Sequence, residues 1–268
     1  MRVDLLHYRP FHYLFNILPR CIYNDFWSMA NFQTHITTST LLGVAYGVGG
    51  YIGFGLTIPH CLVAGALCSV AGMLPDLDSD SGIPQREMLC FVSVLVPILM
   101  LRRFEQLGME PEMMVFTAGL LYVGIRFGLG WIFKRFTKHR GMWHSIPAAL
   151  IAGLTTFIIC LSPQFEVRVF KSWAVVIGFV SHLVLDEVYA VDWNGRKIRV
   201  KRSFGTAMKW FSSSTFANIS TYGKLAFLVI FAMSDASLME YLGKEPLNLP
   251  ITANNLLENV VQGNPLTR

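Results

Sequence analysis

Apolar residues run in long blocks along this chain, broken by short polar punctuation. The first block covers residues 38–74, too long for a single membrane span of about 20 residues. Thr57-Ile58-Pro59-His60 interrupts it, so the pattern predicts two helices. The first carries Gly43, Gly47 and Gly50, which permit close helix approach. Further apolar blocks lie at 88–101, 113–133, 146–161, 173–185 and 225–233. Several are short for a full span, so tilting, half-embedding or extension by flanking residues is expected. The fold class predicted is all-α: a multi-pass transmembrane helical bundle of about six to seven helices. Residues 1–34 read as an N-terminal interfacial arm, 35–234 as the membrane domain, and 235–268 as a polar tail that docks loosely or is partly disordered.

Composition agrees with that pattern. Of 268 residues, 53% are hydrophobic and 15% charged, against about a quarter charged in soluble domains; mean hydropathy is +0.46. The arm scatters Arg2, Arg9 and Arg20 among aromatics, without the apolar core of a secretory signal. Cys21, Cys61, Cys68, Cys90 and Cys160 include no CxxC pair and read as small core hydrophobes rather than a disulfide or zinc framework.

Charge adds an orientation. Net charge is +5, but the basic residues cluster at 134–140 and 196–202 beside apolar blocks. That arrangement fits cytoplasmic loops and anionic membrane lipids as partners better than nucleic acid. With the arm in the cytoplasm, the loops at 76–87, 134–144 and 192–209 fall inside, and Arg102, Arg103, Arg168 and Lys171 fall outside. The inside loops then hold most of the Lys and Arg, as the positive-inside rule requires.

The same alternation gathers ionisable residues at one face. His35 precedes the first helix; Asp76, Asp78 and Asp80 follow the second; His139 and His144 bracket a loop; His182 and Asp186 end a later helix. His182 and Asp186, at i and i+4, share one helix face and can address one ion. Asp76-x-Asp78 after Pro75 presents two carboxylates together. Imidazole with carboxylate suits a divalent metal, zinc or manganese foremost. A carboxylate not bound to metal, or a metal-bound water, can then do the acid-base work, with Asp78 or Asp80 as the candidate catalytic base. Arg126, inside an apolar block, and Arg140 are candidate substrate-binding cations for a phosphate. Each motif also has a plain reading: a hydrogen-bonded helix pair, a solvated acidic turn, a polar loop. His7, His12 and His60 lack such company and read as interfacial or structural.

Asp76, Asp78, Asp80, Ile83 and Glu87 also match positions 1, 3, 5, 8 and 12 of a calcium-binding EF-hand loop. Glycine falls one position late, at Gly82, and the flanks are membrane blocks, which argues against calcium there.

Leu-Pro-Asp-Leu-Asp at 74–78, His-Arg-Gly-Met-Trp-His-Ser at 139–145 and His-Leu-Val-Leu-Asp at 182–186, with Thr34-His35 upstream, resemble the YdjM-like family of inner-membrane metal-dependent hydrolases. The resemblance runs over about residues 35–192. It implies a helical membrane fold in the inner (cytoplasmic) membrane and a metal centre. By motif position it implies His35, Asp76, Asp78, His139, His144, His182 and Asp186 as ligands. Trp143 departs from the pattern, which has a small polar residue such as threonine there. The reading is a membrane-bound metal-dependent hydrolase of phosphoester or lipid-like substrates. Its alternatives are a transporter or metal-handling protein, and a non-catalytic scaffold with a structural metal. Apart from Arg126 the apolar blocks carry almost no charge, which disfavours an ion path.

Overall fold

The computed structural model describes residues 32–78, 82–129, 131, 142–193, 198–200 and 205–244. Residues 1–31, Asp80, His139, Arg140 and residues 245–268 lie outside them.

Helix α1 (Phe32–Phe54) and helix α2 (Ile58–Ala71) form a hairpin. The chain leaves α1 through Gly55, whose φ of 64° is in the left-handed region. The Leu56 N–H then donates back to the Gly50 carbonyl at 3.2 Å. Thr57 is extended and Pro59 sits in the first turn of α2, where a missing N–H costs nothing. The predicted break at 57–60 is thus a helix stop followed by a helix start. A 3₁₀ turn, Pro75–Asp78, comes next. Then follow α3 (Gly82–Leu99), α4 (Leu101–Gln106) and α5 (Pro111–Val123), the last continuing into π-helical Gly124–Leu129. Helix α6 spans Ile146–Ile159 and α7 spans Phe165–Val188. A short antiparallel hairpin, β1 (Val191–Trp193) with β2 (Ile198–Val200), pairs Val191 with Val200. Helices α8 (Thr215–Ala232) and α9 (Ala236–Tyr241) complete the described chain.

Burial on these helices is inverted relative to a water-soluble bundle. The buried face of α1 is His35, Ser39, Gly43, Gly47 and Gly50, one small or polar residue per turn. Large apolar side chains such as Leu41, Val48 and Ile52 point outward, while Leu42 and Tyr46 pack at the edge of the core. Helix α5 buries none of its residues, and Phe216 of α8 is 82% exposed. A soluble amphipathic helix does the reverse. Small residues inside and aliphatic residues outside are what lipid selects. Among the described residues, three helices are long and apolar enough to cross a membrane: Pro111–Leu129, Phe165–Val188 and Thr215–Ala232. Helices α2 and α6, with 14 residues each, reach about 21 Å, short of a hydrocarbon core of about 30 Å. This is a helical membrane protein.

One close crossing organises the core. Helix α7 packs on α2, α1 and α6, and α8 packs on α6. A Cβ at Gly178 of α7 would collide with the carbonyl oxygen of Cys68 on α2, so only glycine allows this depth of contact. One turn further along both helices, His182 reaches the Gly72 carbonyl at 2.8 Å. Both partners step forward by four residues, so α2 and α7 run parallel at the crossing. The hairpin reverses α1 against α2, and residues 160–164 reverse α7 against α6. The start of α1, the end of α2, the start of α6 and the end of α7 therefore meet at one end of the bundle.

At the other end Arg168, in the first turn of α7, is 3% exposed. It makes a bidentate pair with Asp235, at 2.9 and 2.7 Å. Asp235 is also the N-cap of α9, accepting from the Leu238 N–H. The first residues of the predicted polar tail are thus fixed against the core.

Candidate metal centre

Each side chain of the gathered end arrives by a local rule. His35 lies in the first turn of α1. Asp76 sits on the 3₁₀ turn between Pro75 and Leu77, both buried, so the turn's apolar side is anchored and the carboxylate faces the helix ends. His144 directly precedes Ser145, the extended N-cap of α6, whose hydroxyl donates to the Met142 carbonyl and accepts from the Ala148 N–H. His182 and Asp186 lie one turn apart on α7, as their spacing predicts.

The resulting cluster is compact. His35 Nε2 lies 3.4 Å from Asp186 Oδ1. His182 Nε2 lies 3.6 Å from Asp76 Oδ1 and 3.8 Å from Asp186 Oδ2. His144 Nε2 lies 3.9 Å from Asp76 Oδ1. The His35 and His182 rings stack with centroids 3.7 Å apart. The three imidazoles are almost fully buried, while the carboxylates of Asp76 and Asp186 keep 26% and 15% exposure. Two donor groups result, His35–His182–Asp186 and Asp76–His144–His182, sharing His182.

The tautomer of His182 tests whether a cation fits. A carbonyl only accepts, so the bond to Gly72 places the proton on Nδ1. Nε2 then presents a lone pair, is buried, and has no hydrogen-bond partner. Two carboxylate oxygens stand around it. A lone pair facing two anionic oxygens is unfavourable unless a cation lies between them. Tetrahedral zinc, with bonds of about 2.0–2.1 Å, holds its ligand atoms about 3.4 Å apart, close to the separations found here. The donor set therefore fits a divalent ion. The Nδ1–H to carbonyl bond is the usual outer partner of a metal-binding histidine. Burial acts to raise the pKa of Asp76, but the neighbouring imidazoles of His144, His182 and His35 outweigh it. The carboxyl is held below its ordinary value, and Asp76 is ionised at neutral pH.

The chain is matched over residues 29–239 by the model of a family described as YdjM inner membrane protein. It belongs to that family. No curated protein and no solved structure matches it. The YdjM match begins ahead of His35 and ends beyond Asp235, so it takes in every donor of the cluster and the Arg168 pair at the far end.

Of the candidate residues read from the YdjM motifs, the structure brings five together: His35, Asp76, His144, His182 and Asp186. Asp78 closes the 3₁₀ turn, and its side chain lies outside the described ones, as do Asp80, His139 and Arg140. Arg126 stands on the π-helical turn with its guanidinium 5.8 Å from the Phe127 ring centroid; among the described residues it forms no ion pair with the cluster. Asp76 faces imidazoles rather than a calcium loop, and Gly82 already belongs to α3.

Three supports went unread in the sequence. Gly72 supplies the carbonyl for His182. Trp143, the departure from the YdjM pattern, donates from Nε1 to the Leu74 carbonyl at 2.8 Å and sits edge-on to Phe179, tying the His144 turn to the Asp76 turn. Glu187, next to Asp186, accepts from the backbone N–H groups of Gly205, Ala207 and Met208 at 2.6, 2.7 and 3.3 Å. That segment continues to Lys209, whose carbonyl accepts from the Ile146 N–H, so Glu187 links the end of α7 to the start of α6. Glu187→Gln replaces one acceptor oxygen by an amide donor. We expect a loss of about 2 kcal/mol in thermal unfolding and faster amide exchange at 205–208, with α1 and α2 unchanged.

Proposed function

We infer that this chain is a multi-pass, membrane-bound metal-dependent hydrolase acting on phosphoester or lipid-like substrates at the cytoplasmic membrane face. The observation that carries the metal part is His182: its Nδ1 is committed to Gly72, and its Nε2 is buried between two carboxylates without a hydrogen bond. His35, Asp76, His144, His182 and Asp186 would hold one or two divalent ions, zinc or manganese. A divalent ion held there would supply Lewis-acid polarisation of a phosphoryl or carbonyl oxygen.

The chain's own residues divide the remaining work. The buried imidazoles fix the donor geometry and keep water from the helix side. Asp76 and Asp186, the two partly exposed donors, mark the side from which a substrate can enter. Asp78 and Asp80, two and four residues after Asp76, are the proposed bases. Arg126 and Arg140 are the proposed contacts for an anionic substrate.

The near-complete burial of the three imidazoles favours a second reading, a structural ion that ties four helix ends together. Purified protein should contain close to one or more equivalents of metal, and a phosphoesterase panel in detergent should show turnover that chelation removes and zinc or manganese restores. Metal content without turnover on any phosphoester, together with a melting temperature lowered by chelation, selects the structural reading. Metal-free protein with unchanged stability rejects both.

A further inference from the structure

We propose that the bundle end remote from the histidine cluster holds a second site, which binds a phosphate-type oxyanion between Arg103 and Arg168. A cavity of about 370 Å³ opens there, lined by Arg103, Ser162, Arg168, Phe231, Ser234 and Asp235 among others. Its charge does not balance. Arg168 is matched by Asp235 and further held by the Phe157 carbonyl and ring face. Arg103 donates from Nη2 to the Ile158 carbonyl at 2.7 Å, and among the described residues no carboxylate lies in ion-pair range of it. Two guanidiniums thus share one carboxylate in a half-buried cavity. The Nε of Arg168 is itself buried without a hydrogen-bond partner. Burial and the neighbouring Arg168 both push the pKa of Arg103 down, which an anion would relieve. The hydroxyl of Ser162, which accepts from the Gln164 N–H and has its own hydrogen to give, offers a neutral donor of the kind that accompanies guanidiniums at oxyanion sites.

Position narrows the source of the anion. The cavity is lined by the first turn of α7 and the last turn of α8, two of the helices fit to cross a membrane. The stretch of α7 from Arg168 to Asp186 rises about 27 Å, close to one hydrocarbon thickness. The cavity and the histidine cluster therefore lie at opposite membrane surfaces, and the cavity sits at the depth of lipid phosphates. A lipid headgroup and free phosphate present the same oxyanion.

The test uses the full chain in nanodiscs of phosphatidylcholine alone, or with phosphatidylglycerol, and compares wild type with Arg103→Gln. That substitution removes the unmatched charge and leaves the Arg168–Asp235 pair intact. Wild type should bind inorganic phosphate, retain phosphatidylglycerol in native mass spectrometry, or do both. Arg103→Gln should weaken whichever is bound by about ten-fold or more, the worth of one charge-assisted hydrogen bond. Binding of phosphate alone assigns a free anion, and retention of phosphatidylglycerol alone assigns a lipid headgroup. Wild type that binds neither, or a variant that binds both as tightly as wild type, overturns the proposal. Repeating the measurement in chelator separates the two ends: binding here should persist after any metal is stripped.

Discussion

His182→Ala is expected to strip the purified protein of the divalent ion proposed for the cluster and to abolish the proposed phosphoesterase activity. His182 is the donor common to both groups in the cluster, so its loss breaks each of them. Changing an outer partner of a ligand costs about 10–100-fold in metal affinity, and loss of the ligand itself should exceed that. Metal analysis after gel filtration reads the first effect and a phosphoesterase assay the second. The variant should melt where chelated wild type melts, because both lack the ion. A variant that keeps its metal and turnover would sink the proposed centre. Asp186→Asn provides the companion case: it retains the shape of α7 and removes a charge, and should weaken binding without unfolding the helix.

The second large effect comes from a residue that touches no donor. Gly178→Val places methyl groups against the Cys68 carbonyl on α2, and backbone cannot give way as a side chain can. Overpacking of this kind costs about 1–3 kcal/mol, occasionally more. The larger consequence is geometric. The same crossing carries the bond from His182 to Gly72 one turn on, so prising α7 from α2 should release the imidazole's orientation and lower metal affinity about 10–100-fold. Gly49→Ala is the control, since a Cβ there meets nothing within 4 Å; it should leave metal content unchanged. Equal metal content in all three proteins would show that the crossing does not position His182.

Much of this was legible in the sequence, for physical reasons that can be named. Long apolar blocks with few charges leave only a helical membrane fold. Pro59 after Thr57 dictates a helix boundary. Spacing of four places His182 and Asp186 on one face. An in–out alternation brings the four polar motifs to one end, where the structure places His35, Asp76, His144 and the α7 pair. What was not legible depends on partners distant in sequence. Gly178 is silent until α2 is known to cross it, although Cys68-x₃-Gly72 and Gly178-x₃-His182 share the same four-residue step. Trp143 reads as a departure from a pattern until Leu74 is seen to need a donor. Glu187 is one more polar residue until the backbone of 205–208 folds over it. Asp235 reads as the start of a polar tail until Arg168 is found buried beneath it.

The gathering of four helix ends has a thermodynamic consequence. The five donors come from α1, the 3₁₀ turn, the segment before α6 and α7, so no local stretch of chain can assemble the cluster. An ion bound there would bind the assembled fold and not the unfolded chain. Its binding free energy then becomes folding free energy. Free metal at about 1,000 times its Kd would add about 4 kcal/mol, comparable to the whole stability of a marginal domain. The helix ends farthest apart in sequence would be held as if by a cross-link, one that a chelator can open and a drop of zinc can close.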